Sequence, residues 1–334
     1  MATRVTSSRL VGRAAELAEL EAALSDAAAG RPSLAFVAGE SGVGKTRLLA
    51  ELERHARDGG ARVVGGDCVD LGDGELPYAP LVAALRSLSR AGDPALDELP
   101  APVRSELGAL HPELGSAPGL RPDEERTAQS RVFEALLALL DRLSQDTPLV
   151  LSIEDIHWAD SSTRAFLTFL ARTLCGERIL VVATYRSDEL HRRHPLRPVL
   201  AELERDARAR RIELSRLSRA ELGDQLADIL GAPPSRDLVE RLYMRSEGNP
   251  LFAEELLAAG MDGRGALPPT LRDALMVRIE RLPAGAQDLL RILAVGRRLD
   301  HGLLQSASGL EPRELNDALR EAVAGQIVVA DDED

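Results

Sequence analysis

One octapeptide limits what this chain can fold into. Gly39-Glu40-Ser41-Gly42-Val43-Gly44-Lys45-Thr46 fits G-x-x-x-x-G-K-[ST] at every defined position. An apolar run, Leu34 to Ala38, precedes it, and a segment with Leu48, Leu49 and Leu52 at helical spacing follows. Strand, glycine loop and helix start are the context this motif requires. The glycines let successive backbone N–H groups face a phosphate, and the helix N-terminus adds partial positive charge at the same point. Lys45 can reach the β- and γ-phosphates, and the Thr46 hydroxyl can serve Mg²⁺. Gly39, Gly42, Val43, Gly44, Lys45 and Thr46, with Arg47 beside them, form the expected nucleotide-binding set.

The flanking chain alternates strand and helix patterns as far as Leu214. Arg62–Gly66, Leu149–Ile153, Ile179–Ala183 and Arg211–Leu214 read as further strands. Helices are expected over Tyr78–Arg90, Val132–Leu143 and Pro198–Arg208, with an irregular or partly helical insertion over residues 91–126. This alternation predicts an α/β fold with an open parallel sheet. A further strand between the phosphate-loop strand and the acid-ending strand suggests the P-loop subclass with a strand inserted between the two. After Leu214 the strands stop. Arg219–Leu230, Arg236–Ser246 and Pro250–Ala259 read as short amphipathic helices, with Asn249 as N-cap and Pro250 at N1 of the third. Leu271–Arg281, Ala284–Val295, a short stretch near Leu303 and Arg313–Val323 read as four more helices, followed by a strand-like Gln326–Ala330. That order suits a winged helix. The chain reaches Asp331–Asp334 where a wing hairpin would turn back, which predicts a winged-helix domain truncated in its wing and a native chain that continues. Three domains are expected: a nucleotide-binding domain over 1–214, a small helical domain over 215–266 and an incomplete winged helix over 267–334. A length of 334 residues suits two or three domains.

The Leu149–Ile153 strand ends in Glu154-Asp155, where a P-loop ATPase places a metal-binding acid and an acid that orients the attacking water. The sequence leaves open which acid takes which role, so Thr46, Glu154 and Asp155 are all candidate metal ligands. Arg186, just past the next strand, can sense a γ-phosphate, because a planar guanidinium forms paired bonds to phosphate oxygens. His157 reads as a packing or hydrogen-bonding residue. Trp158, the only tryptophan, is expected to bury itself between sheet and helix. Asp160 is expected to N-cap the helix containing Phe166 and Leu170.

Net charge is −13, from 41 basic and 54 acidic residues. The chain as a whole is therefore not built to bind nucleic acid or an anionic membrane. The densest basic stretches, Arg192, Arg193, Arg197 and Arg208 to Arg211, read as solvated helix faces. Two cysteines in no metal-like spacing, no apolar signal core and no run of 18 apolar residues together predict a cytoplasmic protein.

Taken in order, Leu10-Val11-Gly12-Arg13, the phosphate loop, Ile153-Glu154-Asp155-Ile156-His157-Trp158-Ala159-Asp160, Ala183-Thr184-Tyr185-Arg186 and Gly248-Asn249-Pro250-Leu251-Phe252 resemble the nucleotide-binding part of the large ATP-binding LuxR-family regulators. These are STAND-class relatives of the AAA+ ATPases. The resemblance covers nearly the whole chain. It implies an ATP/ADP switch with Mg²⁺, slow hydrolysis, and self-association in the ATP state. It also implies that Val11, Gly12 and Arg13 approach the adenine, that Arg186 is the sensor, and that Pro250 contacts the base or ribose. DNA contact in such proteins belongs to a C-terminal helix-turn-helix that these residues do not contain. Two alternatives are a fast AAA+ motor, which would need a trans-acting arginine, and a small-molecule kinase using residues 91–126 as a lid.

Overall fold

The computed structural model describes residues 6–69, 76–115, 125–258, 282–296 and 301–324, with positions 276, 279, 280, 327 and 328. They divide into two compact units: residues 9–215, and residues 6–8 together with those from Arg216 onward.

The first unit is a parallel sheet between two helical layers. Its strands are β1 (Ser33–Gly39), β2 (Arg62–Asp67), β3 (Leu149–Glu154), β4 (Ile179–Arg186) and β5 (Ala209–Leu214), in the order β2-β3-β4-β1-β5. A strand is inserted between the phosphate-loop strand and the acid-ending strand, as expected, but it is β4; β2, which lies between them in sequence, takes the sheet edge. Every residue of β1 is buried, and β3 and β4 are buried except at their last positions. Strands covered on both faces read as continuous apolar runs, which is why these three are legible in sequence.

Alternation along each strand sorts the core into two. Leu34, Phe36, Leu149, Leu151, Ile153, Val181 and Ala183 face one layer. That layer holds α3 (Ala79–Ala91), α4 (Pro94–Asp97), α5 (Ala101–Leu107), α6 (Glu125–Ser144), α7 (Ser161–Thr173) and α8 (Leu196–Leu203). Ala35, Val37, Val150, Leu180 and Val182 face the other, which holds α1 (Ala14–Ala28) and α2 (Lys45–Asp58). The few aromatic rings are concentrated: Phe133, Phe166 and Phe169 meet at 5.3–6.2 Å between centroids, with Tyr78 edge-on to Phe133.

The β2 edge depends on close backbone approach. A Cβ added at Gly66 would lie 2.5 Å from the Pro80 carbonyl oxygen and 2.9 Å from the Ala83 Cβ. Gly66 is what lets α3 lie against the strand. Gly66→Ala is expected to cost about 2 kcal/mol through overpacking, read as a lower midpoint in urea unfolding.

Two elements differ from the sequence reading. Helix α8 begins at Leu196 rather than Pro198 and ends at Leu203. Proline is tolerated anywhere in a first turn, because the N–H it lacks has no intrahelical partner there, so Pro198 does not mark the start. Arg208, Arg210 and Arg211 do not form a helix face. Arg208 pairs with Asp206 and donates to the Ala171 and Leu174 carbonyls at the end of α7, Arg210 pairs with Asp26, and Arg211 pairs with Glu204 and Glu213. Residues 91–115 of the expected insertion contain α4, α5 and a short 3₁₀ turn, Pro112–Leu114.

The second unit is helical where described. Its helices are α9 (Arg219–Leu230), α10 (Arg236–Ser246), α11 (Pro250–Ala258), α12 (Ala284–Gly296), α13 (His301–Ser308) and α14 (Pro312–Ala324). Ser218 and Glu221 form a capping box on α9, and the Phe252 N–H donates to Asn249 Oδ1 at the start of α11. Leu222, Leu226, Leu242, Ala253 and Leu256 make one small core; Ala286, Leu289, Leu304, Leu315 and Ala318 make another. The helix expected over Leu271–Arg281 falls almost wholly outside the described residues. So does the terminal strand, of which only Ile327 and Val328 are described, in a bend.

Candidate functional site

The site is built at the C-terminal ends of β1, β3 and β4. Parallel register sets Gly39 opposite Arg186, and Glu154 opposite Asp67. The loop after Gly39 turns through Gly42 and Gly44, both with positive φ (80° and 108°), and Gly44 N-caps α2. A side chain at Gly44 would strain the turn that aims the first amides of α2 into the loop.

Lys45, the first residue of α2, is buried. Its Nζ donates to the Gly39 and Glu40 carbonyls, each at 2.9 Å, so the ammonium sits across the mouth of the loop. Burial pushes Lys45 below the ordinary lysine value. Asp188, Asp155 and Glu189 pull the other way, while Arg186 reinforces burial. Thr46 is exposed, and its hydroxyl donates to Glu154 Oε2 at 2.6 Å. Arg47 follows, half-buried.

The two acids have different surroundings. Burial raises the Glu154 carboxyl; the bond from Thr46 opposes this, and the nearby Asp67, Asp155 and Glu53 add to it. Burial also raises the Asp155 carboxyl, here against Arg186 and Lys45. Asp155 adopts a left-handed backbone conformation, φ 54°. Its N–H donates to Thr184 Oγ1 at 3.0 Å, which ties the turn after β3 to β4.

Arg186 ends β4. Its Nη1 pairs with Glu189 Oε1 at 2.6 Å, its Nε lies 3.9 Å from Asp155 Oδ1, and its Cζ stands 4.7 Å over the Trp158 ring. Trp158 packs against the core between sheet and helices, as expected, but is only half-buried. Its 3₁₀ turn, Ile156–Trp158, leaves the ring face to a cation, which stabilises it there. His157 is buried and its Nδ1 accepts from the Arg186 N–H at 3.4 Å, the hydrogen-bonding role expected. Asp160 caps α7 and also accepts from the Tyr78 N–H at 3.1 Å, fixing the chain after β2. Asp188 and Glu189, which sequence reasoning misses, belong to this cluster through their fields at Lys45, and Glu189 also through its ion pair with Arg186. The only signal in sequence is an Asp-Glu pair that begins two residues after the strand-ending Arg.

Val11 and Gly12 are half-buried ahead of α1. Arg13 is buried, and its guanidinium donates to the Val43 carbonyl at 3.2 Å and to the Ser215 carbonyl, with Glu16 3.4 Å away. It thus buttresses the loop from behind. Pro250 belongs to the second unit, at N1 of α11. Cys68 and Cys175 are both free; burial pushes the Cys68 thiol up to about 12. Among the described residues, no group of three or more His, Cys, Asp or Glu could hold a metal alone, and no helix is long and apolar enough to cross a membrane.

Residues 9–182 match the AAA ATPase domain family, over half of the chain. The chain belongs to that family. This AAA ATPase domain protein is also 27% identical, over 271 residues, to an uncharacterized protein of Rhizobium meliloti (strain 1021); the match takes in 74% of this chain and 24% of that protein, so the chain spans about a quarter of its relative. Among solved structures, it is similar to a Signal Transduction ATPase with Numerous Domains (STAND) protein with a tetratricopeptide repeat sensor from Pyrococcus horikoshii, at TM-score 0.44 and 16% identity over 97% of this chain and 41% of that one. It is also similar to AMPPCP-bound DnaA from Aquifex aeolicus, at 0.44 and 15% over 96% and 91% of the two chains. A RuvB variant from Thermotoga maritima gives 0.42 and 16% over 96% and 90%. Membership of an ATPase family carries nucleotide binding with it.

Proposed function

We propose that this chain is the ATP/ADP-binding switch of a STAND-class, LuxR-family transcription regulator. In this reading it hydrolyses ATP slowly, and hydrolysis is coupled to opening and self-association in the cytoplasm. The observation that carries the nucleotide reading is the Thr46–Glu154 hydrogen bond of 2.6 Å beside the buried Lys45. It sets two hard oxygen donors where a phosphate-bound cation needs them.

The donor set fits Mg²⁺, which takes one or two protein oxygens and fills its shell with phosphate and water. When bound, the cation neutralises phosphate charge and polarises the terminal phosphoryl group. Thr46 and Glu154 would hold it. Asp155, which faces Arg186 and Lys45 rather than Thr46, then becomes the acid that orients the attacking water. Lys45 and the loop amides bind the phosphates, and Arg186 bonds the γ-phosphate. Val11, Gly12 and Arg13 form the adenine side, and Arg47 supports the phosphate loop. The domains follow the three-part reading, 1–214, 215–266 and a winged helix over 267–334, which the two separate small cores of the second unit support. DNA contact is left to a helix-turn-helix beyond these residues.

The test is what the purified chain carries and how fast it turns over. Denaturation is expected to release ADP, and steady-state hydrolysis is expected to run well below the ~1–10³ s⁻¹ of ordinary enzymes. Turnover in that range, or phosphoryl transfer to a metabolite, would overturn the switch reading in favour of a motor or a kinase.

A further inference from the structure

We propose that Glu189 determines the preference of this site between diphosphate and triphosphate, by occupying the Arg186 guanidinium that a γ-phosphate has to engage. The inference rests on the nucleotide-binding reading above and adds to it a residue outside every motif of the sequence.

The geometry is that of a held arginine. Nη1 of Arg186 meets Glu189 Oε1 at 2.6 Å, and the guanidinium is stacked on Trp158 with Cζ 4.7 Å from the ring centroid. Both partners of the pair are largely shielded, at 25% and 19% side-chain exposure, so the attraction is less screened than at an open surface. A buried histidine lies close to Glu189 without a hydrogen bond to it. The Arg186 N–H donates to His157 Nδ1, which leaves the imidazole proton on Nε2, and Nε2 faces Glu189 Oε2 at 3.6 Å.

A carboxylate and a phosphate want the same thing from a guanidinium: paired N–H donors in one plane. Glu189 therefore mimics the ligand group. With ADP there is no third phosphate, and the Arg186–Glu189 pair stands undisturbed. With ATP the γ-phosphate has to take donors from Glu189, so part of its binding energy is spent breaking a pair that ADP leaves alone. A ligand shifts such an equilibrium only by its differential interaction with the two arrangements, and Glu189 supplies that difference.

The experiment is calorimetric titration with ADP and with an ATP analogue carrying a methylene β–γ bridge, both with Mg²⁺. The proteins are wild type, Glu189→Gln, Arg186→Ala and the double variant. Glutamine keeps the shape of the side chain and removes its charge, and thermal unfolding checks that each variant is folded. Glu189→Gln is expected to tighten the triphosphate about fivefold or more relative to ADP, within the usual range of coupling between sites; removing the Glu189 field at Lys45 acts on both nucleotides alike and leaves this ratio untouched. Arg186→Ala is expected to abolish that gain. Equal shifts for both nucleotides, a triphosphate weakened relative to ADP, or a gain that survives in the Arg186→Ala background would each overturn the proposal while leaving nucleotide binding intact. Failure of wild type to bind ADP would remove the nucleotide reading and this inference with it.

Discussion

Lys45→Ala is expected to weaken ADP and ATP by about a hundredfold or more, the scale of losing a shielded charge-assisted contact to phosphate. The expected result has a second half. Burial holds the Lys45 ammonium below its ordinary value, so the folded chain keeps this charge at a cost. Alanine removes that cost together with the two bonds to the Gly39 and Glu40 carbonyls. The thermal midpoint of the ligand-free variant should therefore stay close to wild type while binding is lost. A titration and a melt on the same sample separate the outcomes. A variant that still binds ADP tightly removes the loop from the site, and one that is unfolded shows the lysine to be structural.

Asp155→Asn is expected to slow ATP hydrolysis about a hundredfold, at the lower end of what a positioned acid–base group contributes, with nucleotide affinity little changed. Asparagine is the informative replacement. It tolerates the left-handed backbone at this position, and the backbone bond to Thr184 does not involve the side chain. The pH dependence of stability gives an independent check. Burial raises the folded-state carboxyl above its unfolded value, so the native chain binds the proton more tightly than the unfolded chain. Wild-type stability contributed by this group is thus lost as pH rises from the ordinary aspartate range through the raised value, and is level above it. The asparagine variant has no such loss. It should be the more stable protein at neutral pH, and the gap should close below the ordinary aspartate value. Denaturant melts across that range measure it; a variant less stable than wild type at neutral pH would place Asp155 in a net favourable charge pair.

These residues differ in how plainly the sequence announces them. The loop from Gly39 to Thr46 is legible because a phosphate cradle needs particular residue types at fixed spacing. Glu154 and Asp155 are legible because they end a strand whose five preceding residues are all buried. Asp160 is legible as a cap because the serines after it begin a helix. The division of labour between the acids is not legible, because it depends on Thr46 reaching one of them. Nor are the roles of Trp158 and Glu189. They lie on separate turns, and only the pairing of β3 with β4 brings those turns side by side. The Trp158 ring packs against the core as expected, and what the sequence does not show is that its other face serves the Arg186 cation. The arginines near β5 are obscure for a related reason: besides the local Asp206 and Glu213, their partners Asp26, Ala171, Leu174 and Glu204 come from other elements.

Arg13 joins two places that the sequence keeps far apart. One guanidinium serves the Val43 carbonyl and the carbonyl of Ser215, the last residue of its unit. Hydrogen bonds to a charged donor are worth about 1.5–3 kcal/mol each, so neither oxygen can drift far without forfeiting part of that energy. The shape of the anion-gripping turn and the direction in which the polypeptide leaves the sheet are thereby made interdependent, and a displacement at one is felt at the other through a single side chain.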